Sequence, residues 1–339
     1  MRTATLRDVA RHAGVHPGTA SRALNPRTRR LVNDETAERV REAAEQLGYR
    51  PNPIARSLKT SRSASVGVVI PDITNPLFPP IVRGVEDGLY PAGYSAWIVN
   101  TDNDAERESA LVSSLRSRQV DGLIVATARL QHPLIEELAA ENFPLVLVNR
   151  RIESPSVPAV TGDDARGVAL AIRHLAELGH ERIAHVAGPP WTSTGRGRHR
   201  AYRETLQELG LPVDPGLVAG CEAWSEQEGA RALSRLLAKK ARFTAVLAGN
   251  DLLALGCYDV LNERGLDCPA DMSVVGFNDM AFVDKLRPPL TTVRIPHHQI
   301  GAEAARLLLD RVENRDTPVK SILLPLTLVE RQSAAPPAR

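Results

Sequence analysis

The sequence predicts an α/β protein in two parts. A small helical head carries a helix-turn-helix, and a larger two-lobed body is built from doubly wound parallel sheets. Three observations predict this. Residues 6–25 read as two short amphipathic helices joined by a glycine turn. From Val66 onward, short Val/Ile/Leu runs alternate with helical stretches, in two successive series. The charge is also divided. Residues 1–62 hold 13 Lys+Arg against 6 Asp+Glu, so the near-neutral total of +2 hides a head of +7 on a body of −5. A basic segment of that kind suits a phosphate backbone.

Length and composition narrow the classes further. A chain of 339 residues fits two or three domains, and 43% hydrophobic with 24% charged residues is ordinary globular composition. The opening MRTATLRDVARHAG has no apolar signal core, and no apolar run reaches the roughly 18 residues of a membrane span. Cys221, Cys257 and Cys268 are scattered, which argues for a reducing cytoplasm and against a disulfide or zinc framework.

In the head, Leu6, Val9, Ala10 and Ala13 make one helical face. Thr5 is placed to cap that helix, with Asp8 three residues on, and Gly14 ends it. Pro17 suits the first position of a second helix. There Ala20, Ala23 and Leu24 turn inward, while Thr19, Ser21, Arg22 and Asn25 point out. Hydroxyls, an amide and an arginine suit phosphates and a guanine edge. An ordinary helical hairpin with a polar face is the other reading, and the basic charge favours DNA. Pro17 and Gly18 offer bases no side-chain hydrogen bond, and Gly18 costs a helix about 1 kcal/mol relative to Ala. Base reading therefore falls to Arg22, and Thr5, Thr19, Ser21 and Asn25 are assigned to phosphates. A third helix begins after the cap Asn33, buries Ala37, Val40, Ala44 and Leu47, and ends at Gly48. The loop Pro26 to Arg30 adds Arg27, Arg29 and Arg30, either as solvated charge or as phosphate contacts. Beyond it, Asn52-Pro53 could start a helix of only six or seven residues, too short to be stable alone. It is either a plain linker or a helix that forms only when held.

In the body, VGVVI (66–70), SAWIVN (95–100), GLIVA (122–126) and PLVLVN (144–149) form the first series of strands. RIAHVAG (182–188), TAVLAG (244–249) and SVVGF (273–277) form the second. Ligands of open α/β sheets bind beyond the carboxyl ends of strands. The polar and aromatic groups found there are Asn75, Phe78, Asn149, Arg198, Trp224, Asn250 and Asn278. Each alone would pass for a turn or capping residue. Together they suit an amphipathic ligand, a ring for its flat face and amides plus an arginine for its hydroxyls.

Other patterns carry less. Gly195-Arg196-Gly197-Arg198 lacks the third glycine and the acid of a dinucleotide loop. His180 and His185 are five apart and span a helix end and a strand, which does not suit zinc. Asp102 and Asp104 read as a solvated loop or a cap. No catalytic motif is found, and no cofactor or metal is expected.

TLRDVARHAGV, TASRALN and LGYRPNPIARSLKT closely resemble the LacI/GalR (lactose-repressor) family of bacterial transcription regulators, from residue 5 to about residue 332. The resemblance implies a periplasmic-binding-protein-like body whose chain crosses between lobes three times, near 161–164, 289–293 and 320–326. It implies a head over 1–50 and a hinge helix and linker over 51–62. One lobe would take 63–162 plus 293–320, and the other 163–292 plus 321–333. The hinge helix would pair with its dimer mate in the minor groove, Leu58 wedging open a base step with Ala55 and Lys59 beside it. Positions matching Phe78, Arg198, Trp224, Asn250 and Asn278 would line an effector cleft. Two departures stand out. His16 replaces the usual serine cap, and Asn278 stands where sugar-binding members commonly, and Asn149 where they less regularly, carry aspartate. The expected protein is a cytoplasmic, homodimeric repressor of near-palindromic operator DNA, controlled by a small polar effector, a sugar or sugar derivative. The alternative is a sugar-binding protein or an enzyme on the same body.

Overall fold

The structure is a computed structural model and describes residues 4–25, 28–49, 62–239 and 242–338. The chain separates into two compact units between Ser63 and Ala64.

The first unit is three helices, α1 (Leu6–His12), α2 (Pro17–Ala23) and α3 (Asp34–Gln46). Thr5 and Asp8 form a reciprocal capping box at the start of α1. Asn33 caps α3 by accepting from the Thr36 N–H at 2.8 Å. Val9, Ala10, Ala20, Ala23, Val40 and Ala44 form the buried centre. These small side chains let three short helices approach closely. His12 Nε2 lies 2.9 Å from Gln46 Oε1 and ties α1 to α3.

The second unit holds two six-stranded sheets. The first contains β1 (Ser65–Ile70), β2 (Ser95–Asn100), β3 (Gly122–Val125), β4 (Leu145–Val148), β5 (Ala159–Gly162) and β11 (Ile322–Leu324), in the order β11-β5-β4-β3-β1-β2. All its pairings are parallel. The second contains β6 (Ile183–Ala187), β7 (Val218–Gly220), β8 (Ala245–Ala248), β9 (Ser273–Asn278), β10 (Thr291–Arg294) and β12 (Thr327–Val329), in the order β12-β10-β9-β8-β6-β7. The helices are α4 (Phe78–Leu89), α5 (Ala105–Ser117), α6 (Pro133–Ala140), α7 (Asp164–Glu177), α8 (Ser193–Glu208), α9 (Glu226–Ala238), α10 (Asp251–Glu263) and α11 (His297–Glu313). The sheets are buried, as parallel sheets covered by helices must be: every residue of β1, β4, β8 and β9 is buried.

Three details differ from expectation. One edge pairing, β10 with β12, is antiparallel. The reason is the direction of the crossings: β10 runs toward the first lobe and β12 comes back from it. β5 and β11 both leave the first lobe, so they run parallel. Second, β10 continues to Arg294 in the second sheet, so the passage into α11 falls after 294 rather than within 289–293. Third, β11 pairs with β5 and so lies in the first sheet, where 321–333 had been expected in the second lobe. The last passage is the two residues between Leu324 and Thr327. The hinge positions Ala55, Leu58 and Lys59, and Arg27 of the head loop, lie outside the described residues.

Each lobe is braced by a helix pair in backbone contact. A Cβ on Gly84 of α4 would lie 2.0 Å from the His298 carbonyl oxygen, and one on Gly301 of α11 would lie 2.0 Å from that of Ile81. The last long helix is thereby locked onto the first lobe. Among the described residues, no helix is long and apolar enough to cross a membrane.

Candidate functional site

Of the outward groups expected on helix two, Arg22 is the exposed one, and Asn25 falls beyond the end of α2. Pro17 and Arg22 are exposed, and Gly18, Thr19, Ser21 and Asn25 are half-buried. Arg22 Nε donates to the Gly18 carbonyl at 3.3 Å, which lays the side chain along α2 toward its N-terminus. The Thr5 hydroxyl, expected at a phosphate, is engaged in the cap of α1: it donates to Asp8 Oδ2 at 2.7 Å. His16 does the work of the serine it replaces, its Nδ1 accepting from the Gly18 N–H at 3.1 Å. Of the loop arginines, Arg29 is tied down, bonding the Val32 carbonyl at 2.9 Å and Asp34 at 2.7 Å. Arg30 is exposed.

In the body, a single cleft between the two sheets brings together all seven residues expected there: Asn75, Phe78, Asn149, Arg198, Trp224, Asn250 and Asn278. The enclosed space between these side chains is small, about 20 Å³, so the lobes stand nearly closed on one another. The topology explains the convergence. Asn75 and Phe78 follow β1, Asn149 follows β4, Trp224 follows β7, Asn250 follows β8, and Asn278 ends β9. These are carboxyl ends of strands in facing sheets. Asn149 (φ +62°) and Asn278 (φ +117°) both have positive φ, which asparagine tolerates better than most residues. They hold corresponding places in the two lobes.

Several of these side chains are committed to the protein. Asn75 Oδ1 accepts from the Leu77 N–H at 3.0 Å, and Asn250 Oδ1 caps α10 through Leu253 N–H at 2.9 Å. Phe78 is 1% exposed and packs into the core, so it floors the cleft rather than standing in it. Arg198 is also buried and fully engaged. It pairs with Asp164 at 2.9 Å, donates to the Gly249 carbonyl at 2.7 Å, and reaches Asn278 Oδ1 at 3.4 Å. Its guanidinium lies 3.7 Å from the Phe277 ring centroid. Burial raises the Asp164 carboxyl above its ordinary range, against the opposing pull of Arg198. The Trp224 indole lies flat on backbone: a Cβ on Gly188 would meet it at 2.0 Å.

Three lining residues escaped the sequence reading: Leu77, Arg150 and Thr194. Arg150 is 4% exposed, and its Nε and Nη1 have no hydrogen-bond partner. Its one sequence signal was adjacency to Asn149. The lobes also touch across the cleft. The Leu130 N–H donates to the Trp191 carbonyl at 3.0 Å, and the Arg151 N–H donates to Ser193 Oγ at 3.0 Å. Arg129 and Arg150 both lie over the Trp191 ring, at 5.2 and 5.8 Å.

The motifs set aside in the sequence have ordinary places. Gly195 to Arg200 lie within α8, Asp104 caps α5, and His180 bonds Thr244 at 2.7 Å and Ala335 at 2.9 Å. Among the described residues, no cluster of His, Cys, Asp or Glu could hold a metal.

A helix-turn-helix unit followed by a two-sheet body with a polar cleft is the arrangement of a DNA-binding transcription regulator. Comparison with known proteins gives the particular family. Residues 5–52 match the bacterial regulatory proteins of the lacI family, and residues 172–334 match a periplasmic binding protein-like domain. The chain is 35% identical over 337 residues to the HTH-type transcriptional repressor PurR of Edwardsiella ictaluri (strain 93-146), covering 98% of this chain and 97% of that one. The lac repressor dimer bound to operator and the anti-inducer ONPF superposes with a TM-score of 0.84 at 28% identity, covering 98% of this chain and 100% of that one. The transcriptional regulator CelR–cellobiose complex gives 0.76 at 31% identity, covering 97% and 99%. The chain belongs to the LacI family of bacterial regulatory proteins, and it is a DNA-binding transcription regulator rather than an enzyme.

Proposed function

We propose that this protein is a homodimeric repressor that acts in the cytoplasm, binds a near-palindromic operator, and changes its DNA affinity when a small polar effector, a sugar or sugar derivative, occupies the cleft. The observation that carries the proposal is the meeting of the seven expected side chains, six after strands and Arg198 from α8, in one cleft spanning both lobes. A ligand touching both lobes can bias their relative orientation, which is what control at a distance requires. The solved lac repressor is a dimer on operator, and the CelR structure holds cellobiose; both support the reading. Two-fold symmetry gives each head one half-site.

In this reading Arg22 reads a base, Thr19, Ser21 and Asn25 contact the phosphate backbone, Pro17 and Gly18 lie against the DNA without a side-chain hydrogen bond, and Thr5, its hydroxyl held by Asp8, acts by capping α1 at that surface. Ala55, Leu58 and Lys59 act in the minor groove. Asn75, Asn149, Asn250 and Asn278 offer amides to the effector, with Trp224 and Phe78 against its apolar face and Arg198 holding the second lobe's side in shape.

The test is a fluorescence-anisotropy titration against DNA from upstream of the protein's own gene, with a panel of sugars, sugar phosphates and nucleosides. One compound should shift operator affinity several-fold. Trp224→Ala should abolish that shift and leave effector-free operator binding unchanged. Operator binding indifferent to a compound shown to occupy the cleft would contradict the proposal.

A further inference from the structure

Three consecutive residues of the head, His16, Pro17 and Gly18, fit together as one device. Pro17 has no N–H, so the first free donor of α2 belongs to Gly18. That N–H donates to His16 Nδ1 at 3.1 Å. The Thr19 and Ala20 N–H groups donate to the His16 carbonyl at 2.8 and 3.1 Å. His16 alone therefore satisfies the donors at the start of α2. Because Nδ1 accepts here, the ring hydrogen sits on Nε2. The cap fixes the tautomer and leaves Nε2–H as the donor of an exposed ring. Gly18 makes room for that ring. A Cβ there would stand 3.2 Å from His16 Nδ1, and 3.7 Å from both His16 Cε1 and Arg22 Nη2. The Arg22 side chain is drawn to the same place, since its Nε donates to the Gly18 carbonyl at 3.3 Å.

An imidazole and a guanidinium thus flank one bare glycine, each with N–H donors and neither with a free acceptor. Two donors side by side match acceptors side by side. In the major groove guanine offers N7 and O6 and a neighbouring purine offers N7, whereas cytosine turns a donor outward. We propose that His16 is a base-reading residue: its Nε2–H donates to N7 of a purine next to the guanine read by Arg22, so the pair selects a purine–purine step. The inference rests on Arg22 reading a base. It goes further by adding a second reader, where Pro17 and Gly18 supply none.

The test uses the full-length protein. It first selects its preferred duplex from a random pool, and single-base variants of that duplex are then titrated by fluorescence anisotropy. Arg22→Ala locates the guanine. At the neighbouring purine, a 7-deazapurine, which has carbon in place of N7, should weaken wild-type binding about three- to tenfold. His16→Ser keeps a cap and should bind the natural and 7-deaza duplexes equally. Gly18→Ala crowds the imidazole and should reduce the same preference in the wild-type background, with no effect on it in the His16→Ser background. Thermal unfolding checks the fold of each variant. Should His16→Ser lower the midpoint, His16→Thr carries the same comparison. A neighbouring purine indifferent to loss of N7, or a preference that survives in His16→Ser, would overturn the proposal. If His16→Ser weakens the selected and random duplexes by one common factor, His16 contacts phosphate and its base reading is lost. If Arg22→Ala removes the guanine preference while His16→Ser changes nothing, the first reader stands and only the second falls. A guanine preference intact in Arg22→Ala removes both.

Discussion

Arg22 is the side chain on α2 best suited to a guanine edge. It is exposed and directed along the helix. Arg22→Ala should bring operator and random DNA to nearly equal affinity, measured by anisotropy with each duplex. Retained discrimination would assign base reading elsewhere. A second residue gives a pH signature. His185 on β6 is fully buried, with Nδ1 donating to the Leu247 carbonyl at 2.9 Å and its ring stacked 4.8 Å from Tyr202. Burial holds its pKa down to about 4 from the ordinary 6.5. Below pH 6.5 the unfolded chain takes up a proton that the folded one refuses until about pH 4, so stability falls as pH drops through that window. Between pH 7 and 5 the loss from this one group is about 2 kcal/mol. Asp251, pushed up to about 7 by burial, acts in the opposite sense. It is present in both proteins when wild type is compared with His185→Phe. Urea unfolding at the two pH values should show the smaller loss for the variant; parallel losses would mean that His185 protonates in the fold. Most of the cleft residues were legible from their places after strands; Arg198 lies inside α8, where the sequence suggests a loop. Arg150 was not legible. That two consecutive residues, Asn149 and Arg150, both line the cleft depends on the left-handed backbone at Asn149. His16 was read as a departure from the serine cap, because residue-type preferences for caps leave out imidazole.

At the scale of elements, segments with an apolar run or a clear cap and turn were legible, and those without were not. The inner strands and several helices follow from apolar spacing, and the seven-residue α1 and α2 were legible through their caps and turn; the longer α7, α8 and α9 were not read. β5, β7, β10, β11 and β12 have three or four residues each, too few for any period to register. They are sheet because neighbouring strands and crossings hold them there. The α4–α11 pair is decided by glycines whose purpose is invisible until the helices meet. Gly301→Val should drive its side chain into the Ile81 carbonyl and destabilise the body by about 1–3 kcal/mol or more. Chemical denaturation would register it as a lower midpoint. An unchanged midpoint would mean that the two helices can separate freely.

At the scale of the whole molecule, the charge division and the two strand series already distinguished a DNA-binding head from a ligand-binding body. Where the chain passes between lobes was legible only to within a few residues, because passages carry no periodicity. β10 extends past the expected boundary, and β11 returns to the first sheet. The central claim is that the cleft and the head share one equilibrium. Linkage makes the claim reciprocal: if an effector changes operator affinity by some factor, operator must change effector affinity by the same factor. Trp191 and Trp224, two of the three tryptophans, stand at the cleft and can report its occupancy. The decisive measurement is the effector Kd by tryptophan fluorescence, with and without saturating operator duplex. The account predicts a several-fold difference equal to the effector-induced change in operator affinity. Identical Kd values in the two conditions would contradict it.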